Sequence, residues 1–236
     1  MHYVYMDADQ VATLRTLLAS TGWLERVRVF GRALRTSTRS AGGLLIVGTP
    51  TSEPWHLTAH LDEESRLAGI PELMPTLVRW SPPPDAPPHL RVGLARLEAA
   101  QRGETLFVVA EEAAPVPLLE RVDDARRVGA TILALDSGDS ELDALAHETL
   151  LVPRPAAGAE AGGLLPPSAG VFDEAEWARR TGLITFDAAQ HLVSAAAGDR
   201  EGTGGSRAAG VGGARGRRGL RDRLARLLDT VSGPSA

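Results

Sequence analysis

Cysteine is absent from the 236 residues. That excludes disulfides, thiol nucleophiles and cysteine-based zinc or iron–sulfur sites. Lysine is absent as well, so all 25 basic residues are arginine and no Schiff base, P-loop lysine or lysine general base is available. Aromatic residues make up only 4% of the chain. No apolar run reaches the roughly 18 residues of a membrane span. Met1, His2 and Tyr3 do not open a secretory leader, and a cytoplasmic location is expected. What remains is 43% hydrophobic residues, enough for one α/β-sized core.

The net charge of -5 conceals an uneven distribution. Residues 1–198 hold 17 arginines against 26 acids, a balance of -9, whereas residues 199–236 hold 8 arginines against 4 acids, a balance of +4. An acidic body is a poor partner for phosphate backbones, so no nucleic acid is expected. Residues 199–219, rich in Gly, Arg, Ala and Ser, read as a flexible linker. Leu220, Leu224, Leu227, Leu228 and Val231 then form one stripe, which predicts an amphipathic helix over 220–232 able to dock on the acidic body, a protein partner or an anionic membrane surface.

Within 1–198 the periodicity alternates between helix and strand. Asp7 with Gln10 opens a first helix, and Trp23, Val27, Phe30 and Leu34 repeat every turn after Gly22. Leu44–Val47 is an unbroken apolar run, as expected of a strand buried on both faces. Helices are predicted over 55–67, 89–102, 117–128 and 141–147, and strands over 77–80, 105–110, 131–135 and 150–152. Five prolines between Ser81 and Pro88 impose an extended loop. Closing helices are expected over 172–180 and 186–197. Strands alternating with helices predict a doubly wound parallel sheet with helices on both faces.

In such a sheet the ligand crevice lies beyond the carboxyl ends of the strands. Gly48, Thr49, Pro50, Thr51 and Ser52 stand between a strand and a helix start. A glycine, hydroxyls and helix N–H groups together suit a phosphate or other anion, although the hydroxyls could equally serve only to cap the helix. Glu111 and Glu112 follow the clearest strand and are a paired-carboxylate candidate, or a solvated acidic loop. His56 and His60 are one helical turn apart, near Asp62, Glu63 and Glu64, a spacing that can share a metal but also describes a polar helix face. Ser52 with His56 lacks the nucleophile-elbow context of a hydrolase.

The strand–loop–helix from Leu44 to Leu61 resembles the phosphosugar-binding domains of the sugar isomerase (SIS) family, with Pro50 in place of the second glycine of a Gly-x-Gly-Thr-Ser loop. The similarity runs over residues 7–197 and includes a Ser-x-Leu turn at Ser140–Leu142. It implies an SIS-like α/β fold, a sugar-derivative ligand and pairing into a homodimer, for which Leu192 and Val193 of the closing helix offer an apolar face. It also places the family's phosphate loop, Ser-x-Ser-Gly-x-Thr, on Ala110–Pro115. Here Ala110, Glu112 and Pro115 replace the hydroxyl residues and Ala113 the glycine. Two carboxylates beside a dianionic phosphate repel it.

Heptose-phosphate isomerases of the family take metal ligands from the helix of His56 and from the last helix, which would bring in Gln190 or His191; their positions are not matched residue for residue. No metal or cofactor is therefore expected, and His191 is read as packing at a dimer or domain interface. The expectation is a divergent SIS-fold protein that binds a small ligand, a sugar derivative or other anion, through Gly48, Thr49, Thr51, Ser52, Glu111 and Glu112 without isomerase activity. The alternatives are a phosphosugar isomerase with a rebuilt site and an interaction module acting through helix 220–232.

Overall fold

The computed structural model describes residues 22–152 and 185–199. The expected leading helix near Asp7, the segment at 172–180, the linker and the helix at 220–232 lie outside the described residues.

Among the described residues, apart from 3-10 turns at Pro71–Leu73 and Pro88–Leu90, eleven α-helices and strands follow one another. They are α1 (Trp23–Ser37), β1 (Leu44–Val47), α2 (Trp55–Ala68), β2 (Pro75–Val78), α3 (Ala95–Glu98), β3 (Thr105–Ala110), α4 (Val116–Val128), β4 (Thr131–Asp136), α5 (Ser140–Leu145), β5 (Glu148–Leu151) and α6 (Phe186–Gly198). All five strands are parallel, in the order β2-β1-β3-β4-β5. The doubly wound α/β sheet expected from the alternation is present. Because the chain builds outward in both directions from the β1–β3 pair, the topological switch point lies between these two strands.

Successive residues of each central strand feed opposite layers, as the period of two requires. Leu44 and Ile46 of β1, Phe107 and Val109 of β3, and Leu133 and Leu135 of β4 pack with α1, α2 and α6 on one face. Leu45, Val47, Leu106, Val108, Ile132 and Ala134 pack with Leu97, Leu118, Val122, Ala125 and Leu142 on the other. Both faces are covered, which is why the strands read as continuous apolar runs.

On the first face α1 and α6 approach closely. A Cβ on Gly31 would stand 2.8 Å from the Ala196 Cβ, so only a glycine opposite an alanine allows this spacing. Arg35 of α1 donates to the carbonyls of Ala197 (3.1 Å) and Asp199 (2.5 Å), satisfying the orphan acceptors at the end of α6. Leu192 and Val193 are buried in this layer. They therefore do not offer the free apolar face on which the expected homodimer was argued, and a dimer would have to use another surface.

Several boundaries depart from the sequence reading, among them β5 at 148–151 rather than 150–152 and α5 at 140–145 rather than 141–147. The first strand after α2 spans 75–78 rather than 77–80. The helix expected over 89–102 is instead a 3-10 turn at Pro88–Leu90 and a single helical turn at Ala95–Glu98. Between them the Arg79 N–H donates to the Val92 carbonyl (2.8 Å), and Arg79 bridges Gly93 in parallel register. Extending the sheet edge past Val78 overrides the helical spacing of Leu90, Leu94 and Leu97, and Gly93 in the middle makes that substitution cheap.

Candidate functional site

The loops after β1 and β3 flank the switch point, and both are loops singled out from the sequence. In the first, Thr49 and Ser52 exchange backbone hydrogen bonds (Thr49 N–H to Ser52 carbonyl 3.1 Å, Ser52 N–H to Thr49 carbonyl 3.2 Å). This closes residues 49–52 into a tight turn. Gly48 is required by it, because a Cβ there would lie 2.1 Å from the Ser52 carbonyl oxygen and 2.7 Å from Pro54 Cδ. The amides of Thr49 and Ser52 are thus spent within the loop. Pro54 is the residue before α2 and carries no side-chain cap, so the hydroxyls do not cap this helix.

The threonine hydroxyls link toward the β3 loop instead. Thr49 Oγ1 and Thr51 Oγ1 are 3.1 Å apart, and Thr51 Oγ1 donates to Glu112 Oε2 at 3.3 Å. Thr49 is buried, while Thr51, Ser52, Glu111 and Glu112 are exposed. The relay of Thr49, Thr51 and Glu112 ties the β1 loop to the β3 loop. Four of the expected residues therefore meet: Gly48 shapes the turn, Thr49 and Thr51 form the relay, and Glu112 receives it.

Glu111 and Glu112 also line an open cleft of about 450 Å³ with residues 113–114 and 137–141. Gly48, Thr49, Thr51 and Ser52 are not part of its lining. The cleft thus lies on the β4 side of the Thr51–Glu112 bridge. Its polar groups are Ser137, Ser140, Asp139 and Glu141 besides the two glutamates. The surface offers hydroxyls and carboxylates and no arginine.

Three acids that position this site were not singled out from the sequence. Glu53 receives Arg79 Nε (3.0 Å) and Trp55 Nε1 (3.1 Å) on Oε2 and the Trp80 N–H (3.2 Å) on Oε1. The Arg79 guanidinium also stacks 4.5 Å from the Trp55 ring, and Trp80 Nε1 donates to the Gly48 carbonyl at 2.8 Å. This cluster fastens the β1 loop to the end of β2.

Asp139 caps α5, accepting from the Glu141 and Leu142 N–H groups (3.0 and 3.2 Å), and its other oxygen accepts from the Ala114 N–H at 2.7 Å. It clamps the β3 loop to the β4 loop. Its place just before Ser140-Glu141-Leu142 is an N-cap signature that sequence reading can recognise.

Asp136, at the carboxyl end of β4, is fully buried. Its Oδ1 accepts from the Gly138 N–H (2.6 Å) and the Asp139 N–H (3.3 Å), while Oδ2 has no partner. Burial pushes its carboxyl up to about 6 against those backbone donors, and Asp143 and Asp139 add to the rise. An acid closing an apolar run was its only sequence signal.

Four of the described histidines fall in two places. His147 is structural, with Nδ1 accepting from the Ile132 N–H at 2.9 Å. His60 of α2 packs against His191 of α6, and His56 lies 4.0 Å from Asp187 of α6; this seam lies within the chain and is not the dimer or domain interface expected for His191. Among the described residues no group of three His, Asp or Glu side chains is arranged to hold a metal ion.

No protein-family profile matches the sequence, and no curated protein does. Solved structures do resemble it. A candidate phosphosugar isomerase from Silicibacter pomeroyi aligns at 17% identity and a TM-score of 0.47, covering 94% of this chain and 53% of that one. A candidate sugar-binding protein from Salmonella typhimurium aligns at 16% identity and 0.47, covering 93% and 52%. The Vibrio vulnificus NanR protein complexed with ManNAc-6P aligns at 13% identity and 0.39, covering 94% and 65%. The chain spans about half the length of the first two. The fold itself is a doubly wound parallel α/β sheet. Its five parallel strands, the helices on both faces and the closing helix α6 are the elements that the alternation of apolar periods predicts. No described helix is long and apolar enough to cross a membrane.

Proposed function

We propose that this SIS-like chain binds a small polyhydroxylated ligand, a sugar derivative without a phosphate, beside the β1–β3 switch point, and that it does not isomerise it. The observation that carries this reading is the Thr51–Glu112 bond across the two loops, which sets a carboxylate where the family's phosphate loop has hydroxyls and a glycine. Carboxylates and threonine hydroxyls accept and donate to sugar hydroxyls, whereas Glu111 and Glu112 together repel a dianion. Of the two ligand classes suggested by the sequence, the sugar derivative is the better match to this surface. The closed Thr49–Ser52 turn also leaves fewer amides for an anion.

Absence of isomerase activity rests on the same substitution. A substrate not anchored by its phosphate is not held in register with a base, and positioning supplies much of the rate in such proton transfers. Reading the protein as an interaction module depends on residues 220–232, outside the described residues.

Titration calorimetry with neutral sugars, amino sugars and their phosphates tests the proposal. Neutral or amino sugars are expected to bind and their phosphates to bind more weakly, with no aldose–ketose conversion visible by proton NMR. Tighter binding of the phosphates together with turnover would replace this reading by the rebuilt isomerase.

A further inference from the structure

The seam between α2 and α6 gathers three histidines around one aspartate. His60 of α2 and His191 of α6 pack ring against ring, with centroids 4.5 Å apart and planes at 67°. Asp187, in the first turn of α6, lies 3.5 Å from His191 Nε2 and 4.0 Å from His56 Nδ1. Its side chain sits where a helix N-terminus favours an anion, and Thr185 caps the same turn by accepting from the Ala188 N–H at 3.0 Å.

We propose that this seam is a proton-sensitive clasp, in which the uncharged imidazole of His60, packed on the His191 ring, holds α6 against α2 at neutral pH and acidification loosens the helix by charging His60. Asp187 stands against His191 and His56, whereas a proton on His60 sets a cation against the face of the His191 ring.

His191 Nε2 faces Asp187, and its Nδ1 is buried without a partner. Other charges do not relieve the contact equally. On α2, Glu63 favours a charged His60 and His56 opposes it; on α6, Asp187 favours it and His191 opposes it. The charged group that α1 brings to α6 is Arg35, bonded at the helix's opposite end.

The titration directions agree with the geometry. His60 is held below the ordinary histidine range, first by burial and then by His191. A histidine with a depressed folded-state value stabilises the fold above its unfolded value, and that contribution is lost as pH falls through the unfolded value toward the folded one. Asp187 is held below the ordinary carboxylate range, mainly by its bond to His191, so its contribution is also lost on acidification, at lower pH. Asp136, raised to about 6, works in the opposite sense and cannot mimic the effect.

Amide hydrogen exchange of the full chain at pH 7.5 and 5.0, corrected for intrinsic exchange rates, reads the clasp directly. Residues 186–198 are expected to lose protection at pH 5.0 relative to Thr105–Ala110 of β3. His60→Gln and, retaining a ring, His60→Phe should each reduce that loss. Unchanged wild-type protection of α6 between the two pH values overturns the proposal whatever the variants do. A loss that persists at wild-type size in both folded variants also overturns it.

Discussion

Thr51 and Glu112, 61 positions apart in the chain, meet at 3.3 Å across the switch point of the sheet. One end of this contact belongs to the β1 turn and the other to the β3 loop, so a single hydrogen bond spans the crevice in which doubly wound sheets bind ligands. It also places a negative charge there.

If that charge is what excludes phosphate, Glu112→Gln should relax the exclusion while keeping an acceptor for Thr51. An exposed charge near a phosphate is worth about 1 kcal/mol in water, so affinity for a sugar phosphate should rise by about fivefold and rise further in the Glu111→Gln, Glu112→Gln double variant. Neutral sugars should bind within about twofold of wild type. Titration calorimetry measures both, and equal effects on the two ligand classes would contradict the electrostatic account.

Gly48 tolerates no side chain. Adding one methyl group drives it into the Ser52 carbonyl at 2.1 Å, backbone that cannot step aside without opening the turn. Gly48→Ala is expected to cost about 3 kcal/mol by urea denaturation and to abolish ligand binding.

Glu53 should matter for the site without touching a ligand. Removing its carboxylate in Glu53→Ala leaves the partly buried Arg79, Trp55 Nε1 and the Trp80 N–H without their shared acceptor. A loss of about 2–3 kcal/mol is expected, with a red shift in tryptophan emission as Trp55 and Trp80 gain water. Glu53→Gln should recover part of both.

Asp136 predicts a pH dependence of opposite sign to that of the histidine seam. Its folded-state value is raised from 3.8 to about 6, so the folded state holds its proton more tightly than the unfolded chain. That contribution is fully present below the unfolded value and is lost as pH rises through about 6. Asp136→Asn, which stays neutral, should flatten this component of stability between pH 5 and 7.5. Urea midpoints at the two pH values test it, and an Asp136→Asn profile identical to wild type would show that the carboxyl is not titrating there.

Local pattern alone determined the layers of this protein. The apolar runs at Leu44–Val47, Thr105–Ala110 and 131–135 had to be strands covered on both faces, and the periods in α1, α2, α4 and α6 had to be helices, because hydrophobic spacing records burial directly. The two crevice loops were legible for the same reason, as turn-forming residues after buried strands. Tertiary structure decided what faces what. Strand order brought Thr51 to Glu112, sheet-edge pairing of Arg79 overrode the helical spacing of 89–102, and the docking of α6 buried Leu192 and Val193 and set His191 against His60. The bonds of Glu53 to Arg79 and of Asp139 to the Ala114 N–H join residues 26 and 25 positions apart. Such contacts leave no periodic trace, because they depend on where a crossover returns the chain and not on spacing along it.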